Sequence, residues 1–247
     1  MVKIKICGMT NPEDCLTAVD LGVDFIGFVF YKKSARYAAP EMVREITERI
    51  DGKATTVGVF VDETEDGINE LIDFCHLDFA QVYNTKLHSK AHRGGKEGPT
   101  IPAGGQAQAR VKRAEGVAGA PACGSWLDTG GGGDESPRNR PAGDNRICVY
   151  RVKDHVPEVT ANGLILFDSY SEGFGGSGTP FDINLLKDHS ALGRAFIAGG
   201  IDEGNVHRVL ALKPFGIDLV SSVEKHKGTK DPLKMESLVK KVRSYQL

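Results

Sequence analysis

The sequence has no uninterrupted apolar run of about 18 residues, the length a membrane-crossing helix needs, so no membrane partner is expected. Its five cysteines, Cys7, Cys15, Cys75, Cys123 and Cys148, are odd in number and scattered, with no CxxC pair. That pattern argues against a disulfide framework and offers no zinc-ligand set, so no metal is expected. It suits a reducing, cytoplasmic setting. An excess of one charge is missing too. The formal net charge is −2, which leaves no global field to draw the chain to nucleic acid or an anionic membrane. The first apolar run, residues 2–7, is short and carries Lys3 and Lys5, unlike a secretory leader. What is present is ordinary for a globular chain: 40% hydrophobic and 26% charged residues. Its 247 residues suit one large domain with a sizeable core, and α/β barrels in particular.

Strand and helix patterns alternate from the start. Residues 2–7 are β-branched and apolar. Asn11, with Pro12 and Glu13 after it, reads as a helix start. Leu16, Ala18 and Leu21 follow at helical spacing, and Gly22 is the stop. Further strands are predicted at 24–30, 55–61 and 77–82, with helices at 40–50, closed by Asp51-Gly52, and at 67–74. The pattern resumes with strands at 147–152, 164–167, 195–198 and 216–220. A helix is expected to begin over 181–186, and others over 203–212 and 232–245. Residues 153–162 are too few for a full helix and are expected to loop. Repeated β-α units imply parallel strands with right-handed crossovers. Eight strands suggest a closed α/β barrel, the (β/α)₈ TIM barrel.

One stretch breaks the pattern. The 63 residues from 84 to 146 hold 13 of the chain's 30 glycines and five of its 11 prolines, with ten Lys/Arg against six Asp/Glu. Only 105–115 has a helical composition. Such a stretch buries little apolar surface, so it is expected to be irregular or disordered. We therefore expect a single barrel over 1–247, interrupted by an atypical Gly/Pro/Arg-rich insertion or a corrupted, frameshift-like stretch. The sharp change of composition at both edges favours corruption.

The C-terminal ends of barrel strands are where catalytic side chains gather. Cys7 ends the first strand, Asp168 the sixth, and Arg36 lies in the loop after the second. Each has a plainer reading: a small buried hydrophobe, a helix cap and a solvated loop cation. Their joint placement at one barrel mouth outweighs those readings. Gly199-Gly200 follows the seventh strand and Ser221-Ser222 the eighth. Those loops are the usual phosphate site of such barrels, where backbone N–H groups approach an anion. The run 171–179 is rich in glycine and suited to a lid. It lacks the Lys-Ser/Thr ending of a Walker loop.

Together these pieces closely resemble phosphoribosylanthranilate isomerase. The matching motifs are Lys5-Ile6-Cys7-Gly8-Met9-Thr10, Gly27-Phe28-Val29-Phe30 with Ser34-Ala35-Arg36-Tyr37, and Val57-Gly58-Val59-Phe60-Val61. Phe167-Asp168-Ser169, Ala198-Gly199-Gly200-Ile201, Ser221-Ser222-Val223-Glu224 and Gly228-Thr229-Lys230-Asp231 complete the set. The resemblance covers 1–83 and 147–247. It implies an Amadori rearrangement of N-(5′-phosphoribosyl)anthranilate in tryptophan biosynthesis, with a small phosphorylated substrate and no cofactor. Asp168 would be the general acid on the furanose ring oxygen, and Cys7 the base at C2′. Arg36 would hold the anthranilate carboxylate; backbone near Gly199, Gly200, Ser221 and Ser222 would hold the phosphate. Monomer and homodimer stay equally open.

Two departures stand out. Where the family usually has Gln-Leu-His-Gly, this chain has Gln81-Val82-Tyr83-Asn84. The helix that should follow is not recognisable in 84–146, which would leave apolar strand surface uncovered. Two other readings compete with the resemblance. One is a related histidine-pathway isomerase, which has Asp where this chain has Cys7. The other is a non-catalytic remnant whose basic stretch touches an anionic partner.

Overall fold

A computed structural model describes residues 1–83, 145–170 and 181–245. The expectations for 84–144 and for the lid run 171–179 lie outside the described residues. Eight strands run in chain order: β1 Lys3–Cys7, β2 Phe25–Val29, β3 Thr55–Phe60, β4 Phe79–Val82, β5 Arg146–Val152, β6 Leu164–Ser169, β7 Ala195–Ile197 and β8 Gly216–Leu219. Each pairs parallel with the next, and β8 closes on β1 through Lys3↔Gly216 and Lys5↔Asp218. The closed (β/α)₈ barrel read from the strand count is therefore the fold.

The first half follows the local signals closely. In α1, Pro12–Asp20, the Asn11 side chain accepts from the Asp14 N–H, and Pro12 opens the helix. Helix α2, Pro40–Ile50, ends on Asp51 in the left-handed region at φ 47°. Helix α3, Glu65–Cys75, starts two residues before the predicted 67 because the Thr64 hydroxyl caps it, accepting from the Gly67 N–H. The helix Pro232–Ser244 closes the chain's described part.

The second half departs in four places. Residues 181–186 yield only a 3₁₀ turn, Ile183–Leu186, because the Asp182 carboxylate takes the Asn184 N–H and Lys187 turns extended. The helix predicted over 203–212 is Val206–Ala211, since Asp202 Oδ1 accepts from the N–H groups of Gly204 and Asn205 and holds them in a turn. Asp168 does not end its strand; β6 runs on to Ser169. Arg146, assigned above to the irregular stretch, opens β5, where it is buried and bonds Glu65 and Asn69 of α3. Residues 153–162 form no helix, as expected. Beyond β8 a small hairpin, β9 Glu224–His226 and β10 Thr229–Lys230, folds over the barrel end.

Alternation along the strands sorts the two cores. Outward residues such as Ile4, Ile6, Ile26, Phe28, Ile165 and Phe167 pack with the helices. Inward residues Phe25, Val57, Ile147, Leu166 and Phe196 form a separate cluster that fills the barrel. Register joins them across strands, as in Val57↔Phe79, Gln81↔Ile147 and Leu166↔Phe196. The barrel is thus a packed plug below, and the inward positions one layer higher are free to carry a site.

Candidate active site

Above the apolar plug the inward positions change character. On β1 the next one is Cys7, on β4 Gln81, on β6 Asp168 and on β8 Asp218. With the loops that follow, they line one pocket at the barrel mouth. All seven residues singled out from the sequence, Cys7, Asp168, Arg36, Gly199, Gly200, Ser221 and Ser222, line it.

The Cys7 thiol is buried, and burial pushes its proton affinity above the usual thiol range. Lys5 and Lys230 pull the other way. Lys5 lies two residues earlier on the same inward face and is fully buried. Its ammonium meets the Asp218 carboxylate at 2.9 Å in the barrel interior. That carboxylate keeps Lys5 charged despite the cost of burial. Asp168 is also raised, first by burial and then by Asp218; the Tyr83 phenol, donating to Oδ2 at 2.9 Å, and Arg151 oppose the rise.

Arg36 does not stand alone. Its Nε and Nη2 donate to the two oxygens of Glu224 at 2.7 and 2.8 Å, a bidentate pair. Lys230 joins the same carboxylate at 3.2 Å and donates to the Cys7 carbonyl at 2.7 Å. Arg36 Nη1 has no hydrogen bond among the described residues. Gly199 and Gly200 both have positive φ, 94° and 65°, and a Cβ on Gly199 would meet Ser169 Oγ at 2.4 Å. Asn205 Nδ2 fixes the Gly200 carbonyl at 2.7 Å.

Among the described residues, Gln81 Oε1, Asp218 Oδ1 and Ser222 Oγ are buried without a hydrogen-bond partner. All three residues line this pocket. Buried polar groups are costly to leave unpaired, so their convergence marks the place where a polar ligand belongs. Gln81 and Asp218 were missed in the sequence, as were Lys5, Glu224 and Lys230. The available signal was weak: Lys5 sits inside an otherwise apolar strand run, and only the strand register shows that it meets Asp218.

A closed (β/α)₈ barrel whose mouth joins a thiol, a carboxylic acid and two glycine- and serine-bearing loops is the architecture of a barrel enzyme built for acid–base chemistry. The model of the family described as N-(5′-phosphoribosyl)anthranilate (PRA) isomerase matches residues 4–133 and 149–241. N-(5′-phosphoribosyl)anthranilate isomerase of Citrifermentans bemidjiense is 32% identical over 249 residues, covering 100% of both chains. The enzyme of that name from Geobacter sp. strain M21 is 33% identical, covering 97% of each. Among solved structures, phosphoribosyl anthranilate isomerase from Thermus thermophilus superposes with a TM-score of 0.68 at 25% identity, covering 98% of this chain and 99% of that one. The Thermotoga maritima enzyme gives 0.66 at 25%, covering 99% and 100%. This chain belongs to the N-(5′-phosphoribosyl)anthranilate isomerase family.

Proposed function

We propose that this chain isomerises N-(5′-phosphoribosyl)anthranilate to 1-(2-carboxyphenylamino)-1-deoxyribulose 5-phosphate in tryptophan biosynthesis, with Asp168 as acid and Cys7 as base. The observation that carries the assignment is the meeting of both groups in one pocket whose remaining lining includes unpartnered polar atoms. The protonated Asp168 carboxyl gives its proton to the ring oxygen. The C1′–O bond breaks toward that oxygen, and the anthranilate nitrogen lone pair forms the C1′=N bond. The Cys7 thiolate then takes the proton from C2′, the C–H pair becomes C1′=C2′, and the C=N pair returns to nitrogen. The resulting enolamine tautomerises to the ketone. Only protons move, so the chain's own acid and base complete the step.

The neighbours support these roles. Lys5 and Lys230 supply the positive charge that a thiolate needs, and burial holds Asp168 protonated further up the pH scale than an exposed carboxyl. Arg36, locked by Glu224, would present Nη1 to the anthranilate carboxylate. Gly199, Gly200, Ser221 and Ser222 would receive the phosphate, with the unpartnered Ser222 hydroxyl as one donor. Burial raises both groups from their ordinary ranges, in which a carboxyl loses its proton before a thiol. The acidic limb of kcat/KM reports Asp168 and the basic limb Cys7.

The test supplies phosphoribosylanthranilate and follows the loss of anthranilate-type fluorescence. Cys7→Ala and Asp168→Ala are each expected to lower kcat by about 10²–10⁴-fold in a folded barrel. Activity that survives both substitutions would rule out the assignment.

A further inference from the structure

We infer that Tyr83 is the positioning residue for the acid: its phenol clamps Oδ2 of Asp168 and reserves Oδ1 to carry the proton to the substrate. The inference rests on Asp168 being the acid. Phe79, Gln81 and Tyr83 are successive inward positions, and Tyr83 lines the pocket with Asp168. Its backbone N–H donates to the Phe60 carbonyl at 2.9 Å, which carries the β3–β4 pairing one residue past Val82. The ring is therefore aimed by the sheet.

The geometry demands a long donor. Tyr83 follows β4 and Asp168 is on β6; β5 lies between them. Two strand spacings are roughly 10 Å, and the tyrosine side chain bridges that gap to place its hydroxyl 2.9 Å from Oδ2. The phenol does not ionise readily. Burial, then the facing Asp168 carboxylate, then Cys7 and Asp218, hold its proton well above the usual phenol range. It therefore keeps a proton to donate to the Asp168 carboxylate.

The groups around Asp168 give the sign of the test. Burial and Asp218 of β8 raise its proton affinity; Tyr83, Arg151 of β5 and the Ser169 backbone N–H lower it. Lys5 is committed to Asp218, and Cys7 faces Tyr83 from β1. Tyr83→Phe keeps the ring and removes one lowering contact, so Asp168 must titrate higher.

The experiment compares wild type with Tyr83→Phe in two readouts. One is a ¹³C titration of carboxyl-labelled aspartates, with the Asp168 resonance assigned through Asp168→Asn. The other is the pH profile of kcat and kcat/KM on phosphoribosylanthranilate. In Tyr83→Phe the Asp168 titration and the acidic limb of kcat/KM are expected to move together to higher pH. The plateau kcat should fall about tenfold, the size of one hydrogen bond to a charged group, with KM changed less than threefold. A folded Tyr83→Phe protein in which Asp168 titrates where it does in wild type, or in which kcat is unchanged, overturns the inference. Asp168→Asn that keeps full activity would instead remove the acid assignment itself. The Asp168 titration in Tyr83→Phe still decides the clamp in that event.

Discussion

Gly27 pairs with Cys7 in the β1–β2 register, and a Cβ built on it would lie 2.7 Å from the Cys7 sulfur and 3.2 Å from its Cα. The absence of a side chain at 27 is what lets the thiol sit where it does. Gly27→Ala is therefore expected to displace the sulfur and lower kcat roughly 10²-fold, while circular dichroism shows an intact fold. Wild-type kcat in that variant would mean that thiol placement tolerates more than the packing suggests. Arg36 teaches the same lesson at longer range. A loop arginine beside the mouth was legible in the sequence. Its engagement by Glu224, 188 residues away, was not, because a bidentate pair depends on where two distant loops arrive.

The elements are tied at the barrel's lower rim by aspartates that precede strands. Asp24, just before β2, accepts from the Ile4 N–H at 2.9 Å, from Lys3 at 2.8 Å and from Arg243 of the closing helix at 2.8 Å. Asp78, just before β4, does the same for Thr56 of β3 through its N–H and hydroxyl. Burial alone would raise the Asp24 proton affinity, but the bonds from Lys3, Ile4 and Arg243 win and lower it. A carboxyl lowered in the folded state adds stability above its ordinary range and loses it as pH falls through the folded value. Asp24→Asn should thus cost about 1–3 kcal/mol at neutral pH. Its urea midpoint should converge on that of wild type below the ordinary carboxylate range. A gap that stays constant with pH would contradict this linkage.

At this scale local sequence signals served well where capping chemistry was explicit, as at Asn11-Pro12 and at the Asp51-Gly52 stop. They failed where a side chain competed for backbone donors. Asp182 and Asp202 each hold N–H groups that a longer helix would have used, and nothing in the periodicity of 181–186 or 203–212 announces that.

For the whole molecule, stability depends on the plug inside the barrel. Phe196 is fully buried there, edge-on to Phe25 at 5.1 Å and to Phe215 at 5.1 Å. A Cβ at Gly216 would meet its ring at 2.4 Å, so the glycine makes room for the aromatic. Phe196→Ala is expected to cost about 3–5 kcal/mol, read as a lowered denaturant midpoint; a loss below 1 kcal/mol would show that the plug relaxes around the cavity.

The sequence by itself determined the eight parallel strands, the order of their crossovers and seven of the residues that line the mouth, because β-branched runs, helix caps and strand-end positions are local features. Only the tertiary structure decided how those residues work together. Barrel closure sets Lys5 against Asp218, the hairpin past β8 brings Glu224 and Lys230 to Arg36 and Cys7, and the chord across β5 joins Tyr83 to Asp168. Each is a contact between residues far apart in the chain. Its existence depends on register and barrel geometry, which no single segment encodes.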